Sequence, residues 1–215
     1  TAVRSFLRFL LVRDHISVPL TGAVPKLAGW RQTSLPRALE PECVKRLLDA
    51  CDRRTAVGRR DYAMLLVLSR LGLRAGEVAA LRLEDLDWRR GEFIVHGKGG
   101  RDDRLPLPAD VGKALAAYLS RGRPAIDARA VFVSDRAPHR ELSSAGVTSR
   151  VAWASVRAGF AQPIHAHRLR HTAATQMLRR GSSLDDIGQV LRHSSPQTTA
   201  IYAKVDREAL RSLAQ

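Results

Sequence analysis

Five short segments of this chain carry side chains suited to holding or breaking a phosphodiester. In Leu71-Gly72-Leu73-Arg74-Ala75-Gly76-Glu77, a turn between two predicted helices presents Arg74, with Glu77 one turn on to hold its neighbourhood. Gly97, Gly99 and Gly100 surround Lys98 in a turn whose missing Cβ atoms let the backbone approach a ligand while Lys98 swings inward. His165-Ala166-His167-Arg168-Leu169-Arg170-His171-Thr172 opens a helix, and His167 and Arg170, three apart, share one of its faces. Leu191-Arg192-His193-Ser194-Ser195 closes another helix with His193, and Thr198-Thr199-Ala200-Ile201-Tyr202 ends the series on a phenol. Taken singly, each has an ordinary account as a solvated arginine, a turn lysine, a structural histidine or a packed tyrosine. Their joint occurrence in this order points to phosphate chemistry.

Other chemistries fit less well. His167 and His171 stand at i and i+4 and could pair on a metal, but the zinc-peptidase pattern places Glu after the first His, where Arg168 stands. Cys43 and Cys51 lie eight apart in one predicted helix with no His or Cys at ligand spacing, which predicts free thiols. Neither a metal nor a cofactor is expected.

The elements that must position these groups are mostly helical. Val3, Phe6, Leu7, Leu10 and Leu11 recur at helical spacing over Thr1–Val12. Pro19, Gly22, Pro25, Gly29 and Pro36 mark 16–38 as an extended linker, leaving 1–15 as one helical piece and 39–215 as the main domain. The apolar face of the first helix has no upstream partner, so it is expected to end a longer N-terminal domain. Further helices are predicted over Glu40–Cys51, Arg59–Leu71, Ala75–Leu81, Asp110–Leu119 with Asp110 as N-cap, Ser143–Ala158, His167–Arg179, Leu184–Leu191, Pro196–Tyr202 and Arg207–Leu213. Glu92–Val95 and Arg104–Leu107 predict a β-hairpin with Lys98 near its tip, and Val131–Val133 a further short strand. The class is therefore mainly α with a small antiparallel β-hairpin (α+β).

The 36 Lys and Arg against 21 Asp and Glu leave a formal charge of +15, spread along the whole length. Such a field favours a polyanion. Only five of the basic residues are Lys, and Arg suits planar, bidentate contact with phosphate. No apolar stretch approaches the roughly 20 residues of a membrane span, and no cleavable signal is visible, so a cytoplasmic protein without membrane contact is expected.

The motifs, taken together, resemble the signature of the tyrosine recombinase (phage integrase) family over roughly residues 39 to 213. The family's catalytic set runs Arg, Lys, His-x-x-Arg, His or Trp, Tyr, and Arg74, Lys98, His167, Arg170, His193 and Tyr202 fill it. The nine-residue interval from His193 to Tyr202 is similar too. Arg192 departs where many members carry Gly, which is expected to alter backbone geometry beside His193. The resemblance implies the family's catalytic-domain fold, double-stranded DNA as partner, and strand cleavage and rejoining through a 3′-phosphotyrosine without ATP. It makes Tyr202 the nucleophile, places Arg74, Arg170 and His193 on the phosphate, and leaves Glu77 as support. His167 would then accept the phenolic proton and Lys98 protonate the leaving 5′-oxygen. Residues 1 to 30 resemble the last helix and linker of the family's core-binding domain. The tail after Tyr202 implies packing on a neighbouring protomer, hence a tetramer in synapsis and a monomer in isolation. Two other readings share these residues: a type IB topoisomerase-like relaxing enzyme, and a DNA-binding module that grips phosphates without cutting.

Overall fold

Capping groups and runs of apolar residues decide where each helix of this chain begins and ends. The structure, a computed structural model, describes residues 2–24, 38–97, 102–192 and 199. The chain divides into two compact units, Thr1–Ser34 and Leu35–Gln215. In the first, α1 (Ala2–Val12) is followed by a 3-10 turn, Leu20–Gly22, inside the stretch expected to be extended. Arg4 Nη2 donates to the Val24 carbonyl at 2.6 Å and so folds that turn back toward the helix.

The second unit runs α2 (Pro41–Asp49), α3 (Ala56–Leu71), α4 (Ala75–Ala80), β1 (Leu86–Asp87), β2 (Glu92–His96), β3 (Asp102–Pro106), α5 (Ala109–Arg121), α6 (Ser144–Arg157), α7 (Ala166–Arg179) and α8 (Leu184–Val190). Helix α3 is the centre of the core. Ala63, Met64, Leu65, Leu66, Val67 and Leu68 are all buried, as expected of a helix apolar on every side. It packs against α5 and α7. It starts at Ala56 rather than Arg59 because the Thr55 side chain accepts the Gly58 N–H at 3.0 Å and caps the first turn. It stops at Gly72, whose φ of 61° is the left-handed conformation that closes many helices. Near its start, Arg60 and Asp61, both buried, pair at 2.9 Å, and Arg60 reaches Asp135 at 3.0 Å, which ties α3 to the loop before α6.

The three strands form one antiparallel sheet in the order β1-β2-β3, with Phe93 opposite Leu105 and His96 opposite Asp102. Phe93 and Val95 turn into the core. Strand β1 is only two residues long and gave no periodic signal. The strand expected over Val131–Val133 is absent: single bridges join Ala130 to Arg82 and Val133 to Glu141, and the buried run between them packs without a ladder. Asp110 is not an N-cap either. Pro108 occupies that position, and Asp110 sits in the first turn of α5, paired with Arg70 at 2.9 Å. Proline fixes its own φ at the helix entry, and Asp110, from inside the first turn, accepts the Val111 N–H at 2.9 Å.

Helix α8 opens on a capping box in which Ser183 Oγ accepts the Asp186 N–H at 3.1 Å and Asp186 answers on the Ser183 N–H at 3.3 Å. The described part is thus mainly α with a small antiparallel sheet. The tip of the hairpin with Lys98, most of the Pro-rich stretch after Val24, His193, and the helices expected over Pro196–Tyr202 and Arg207–Leu213 lie outside the described residues. No helix among the described residues is long and apolar enough to cross a membrane.

The α3–α4 turn gives a first prediction. A Cβ at position 72 would stand 2.6 Å from Leu191 Cδ2 and would hold a left-handed φ. Gly72→Ala is expected to lower stability by about 1–3 kcal/mol, read as a lower urea midpoint at unchanged slope. An unmoved midpoint would show that the turn relaxes at no cost.

Candidate active site

The turn after Gly72 delivers Arg74 to the start of α4 in extended conformation, φ −73° and ψ 150°. The helix leaves its first N–H groups without intrahelical partners, and Glu77, one turn on, reaches back to take the Arg74 N–H on Oε2 at 2.7 Å. Its other oxygen takes Arg74 Nη1, also at 2.7 Å. Glu77 is therefore bonded to both the backbone and the side chain of one arginine. Its side chain is 7% exposed while that of Arg74 is 45% exposed, so the pair has a fixed foot and an open hand.

Arg170 comes from the first half of α7 and is almost fully buried. Its Nη1 donates to the Gly72 carbonyl at 2.6 Å, its Nη2 donates to the Leu191 carbonyl, and Glu77 Oε2 lies 3.9 Å from Nη1. One guanidinium thereby holds α7, the α3–α4 turn and the end of α8 together. His167, on the same face of α7, meets the His171 ring edge to face with centroids 4.2 Å apart. Partial burial of its ring, and then the positive charges of Arg170 and Arg74, hold the His167 pKa below the ordinary histidine value of 6.5. The ring is neutral at pH 7 and able to accept a proton.

Arg192 follows α8 with φ 52°. This left-handed conformation is one that Gly adopts freely and that costs roughly 1–2 kcal/mol for a residue with a Cβ. Its carbonyl accepts Arg74 Nη2 at 3.1 Å. Its own guanidinium turns inward, placing Nη2 2.6 Å from Glu77 Oε2 and Nε 3.7 Å from Asp103 Oδ2 on β3. Three arginines thus meet one carboxylate. Burial pushes the Glu77 pKa up, but the Arg74 N–H and the charges of Arg192 and Arg74 outweigh it, and the group titrates below its ordinary 4.5.

At the base of the hairpin, His96 is held between two carboxylates, Nδ1 at 2.7 Å from Asp102 and Nε2 at 2.9 Å from Asp85. These bonds, the one to Asp102 foremost, raise its pKa. Arg74, His96, Asp103, His167, Arg170 and Arg192 all line one open cleft of about 1730 Å³. Of the residues singled out in the sequence, Arg74, Glu77, His167 and Arg170 are brought together here. Lys98, His193 and Tyr202 lie outside the described residues. Sequence reasoning passed over His96, Asp103 and the inward turn of the Arg192 side chain, because none belongs to a spacing pattern; only the family departure at Arg192 marked that position. No group of three or more His, Cys, Asp or Glu placed to hold a metal occurs among the described residues.

The phage integrase family model matches residues 37–209. A protein of Sinorhizobium fredii that carries an integrase/recombinase name, y4rA, is 50% identical over 100% of this chain and 53% of its own length. The tyrosine recombinase XerC of Oceanobacillus iheyensis is 32% identical over 98% of this chain and 70% of its own. The crystal structure of XerA recombinase superposes with a TM-score of 0.72 at 26% identity, over 99% of this chain and 81% of that one. The chain belongs to the phage integrase family. Its fold is that of the tyrosine recombinase catalytic domain, and it spans about half the length of y4rA.

The Glu77 centre yields a pH-dependent prediction. A carboxylate with a lowered folded-state pKa contributes stability that is complete above its unfolded value and is lost as pH falls through the folded one. Glu77→Gln is expected to cost about 3 kcal/mol at pH 7, since it strands buried guanidiniums. The gap to wild type should narrow below pH 4.5, measured by denaturant titration at several pH values. A gap that stays constant down to acid pH would contradict the assignment of Glu77 as the charged hub.

Proposed function

We propose that this chain is the catalytic part of a site-specific recombinase that cuts and rejoins double-stranded DNA through a 3′-phosphotyrosine, with Tyr202 as nucleophile. The observation that carries this reading is the convergence of Arg74, His167 and Arg170, from the start of α4 and from α7, on one cleft around Glu77. Family membership and the +15 charge support it.

The chemistry follows from what a phosphodiester resists. Its charged oxygens repel a nucleophile, so charge must be neutralised where it builds in the transition state. Arg74 and Arg170 would fork onto the non-bridging oxygens, and both stay ionised at any working pH. His193 would donate a further hydrogen bond there. A phenol with an ordinary pKa of about 10 is rarely ionised at neutral pH. His167, held neutral by its surroundings, is the acceptor for its proton. The leaving 5′-oxygen would otherwise depart as a strongly basic alkoxide, so a general acid is required, and Lys98 on the hairpin fills that role. The bond from Tyr202 to phosphorus retains the energy of the broken linkage, and attack by a 5′-hydroxyl reverses the step without ATP. Residues 1–15 are read as the last helix of a core-binding domain, 16–38 as its linker, and the tail after Tyr202 as the element that packs on a neighbouring protomer in a synaptic tetramer.

Two experiments test the roles. On a suicide substrate nicked so that religation fails, the wild-type chain should accumulate a covalent protein–DNA adduct, and Tyr202→Phe should abolish it. Adduct persisting in that variant would remove Tyr202 as nucleophile. Lys98→Ala should slow cleavage by at least 10²-fold and recover on a 5′-bridging phosphorothiolate, whose sulfur leaves without a proton. Absence of that recovery would exclude Lys98 as the acid.

A further inference from the structure

Arg192 is the arginine lining the cleft, among the described residues, that the chemistry above does not use. Its side chain is 9% exposed, and its Nε is buried with no hydrogen-bond partner among the described residues. Buried guanidinium N–H groups are ordinarily bonded, so an unbonded one needs a reason. Asp103 Oδ2 faces it at 3.7 Å, close enough for attraction and too far for a hydrogen bond. Asp103 is 43% exposed on strand β3 and can return to water. This ionic contact can be exchanged without breaking a hydrogen bond.

The Arg192 side chain serves the fold chiefly through its ion pair to Glu77. The bond that joins this turn to Arg74 comes from the Arg192 carbonyl, which any residue supplies. Glu77 already receives Arg74 on both oxygens. The backbone is left-handed, a conformation better suited to Gly or Asn. A long cation kept in such a position, anchored at one end on Glu77 and unbonded at Nε, is arranged to meet an anion.

We propose that Arg192 is a third phosphate-binding arginine of the cleft: Nη2 stays on Glu77 while Nε exchanges Asp103 for a phosphate oxygen of the DNA. This rests on the reading of the cleft as a DNA site. It assigns Arg192 a direct contact with the backbone of the duplex, alongside the contacts proposed for Arg74 and Arg170.

Each phosphate contact contributes about 0.9 to the slope of log binding constant against log salt concentration. Wild type, Arg192→Asn, Arg192→Gln and Arg192→Lys are titrated onto a fluorescent 30-base-pair duplex across a salt series, with thermal unfolding of each variant recorded. Asn tolerates the left-handed backbone, Gln keeps length and a hydrogen bond to Glu77, and Lys keeps the charge. The slope should fall by about one in the Asn and Gln variants and be held in the Lys variant, while the unfolding temperature falls in the Asn variant, which loses the ion pair to Glu77. Asn and Gln variants that keep the wild-type slope overturn the proposal, whatever their stability. The suicide-substrate assay separates the two levels. Adduct in wild type with unchanged variant slopes defeats only the role of Arg192. Lost slope without adduct upholds the phosphate contact and defeats the cleavage reading. A wild-type chain with no salt-dependent DNA binding defeats both.

Discussion

The Glu77 carboxylate is the interaction on which the rest of the cleft depends. It is 7% exposed, and an isolated carboxylate at that depth would be strongly unfavourable. It is charged because the Arg74 backbone N–H and the Arg74 and Arg192 guanidiniums offset its desolvation. The dependence runs both ways. Without Glu77, Arg192 would be a buried cation with no hydrogen-bonded counterion, and the Arg74 side chain would keep only its bond to the Arg192 carbonyl. Glu77 also lies in the first turn of α4, where a negative charge complements the helix dipole. A single residue therefore starts a helix, fixes two cations and sets the charge of the site.

The cations differ in how they are held. Arg170 donates to the carbonyls of Gly72 and Leu191 and is almost fully buried, so its orientation is set by the packing of three helical segments. Arg74 shares Glu77 but keeps nearly half of its side chain in solvent. Donors that are already oriented when charge develops need no reorganisation at that moment, which is where electrostatic stabilisation is largest. Arg170 answers to that description. Arg74 is the one that can follow a phosphate as it approaches.

Much of this was legible in the sequence, for physical reasons that differ by element. Helix α3 announced itself because Ala63–Leu68 is too apolar to lie anywhere but the core. The hairpin was visible because two short strand-forming runs flank a Gly-rich turn, an arrangement with few other uses. Arg74, Glu77, His167 and Arg170 were found because their spacings place them at a helix start or on one helical face. What escaped depends on pairing or direction that local sequence does not encode. Leu86–Asp87 is a strand only because β2 lies beside it, and Val131–Val133 fails to be one because its neighbours allow single bridges alone. The inward course of Arg192 is set by Glu77, 115 residues away.

The contrast between Arg192 and the buried pair Arg60–Asp61 shows why long-range ionic contacts must be judged by their unfilled donors. Arg60 is 2% exposed, and its guanidinium bonds Asp61, Asp135 and the Val133 carbonyl, all within 3.1 Å. Each nitrogen of that guanidinium has a partner, and its effect is to fix α3 against the loop before α6. Arg192 has similar burial but leaves Nε without a hydrogen bond, opposite a half-exposed carboxylate. Two arginines buried to nearly the same degree thus differ: Arg60 is engaged outside the cleft and ties α3 to the loop before α6, whereas Arg192 keeps an unbonded donor in the lining of the cleft itself.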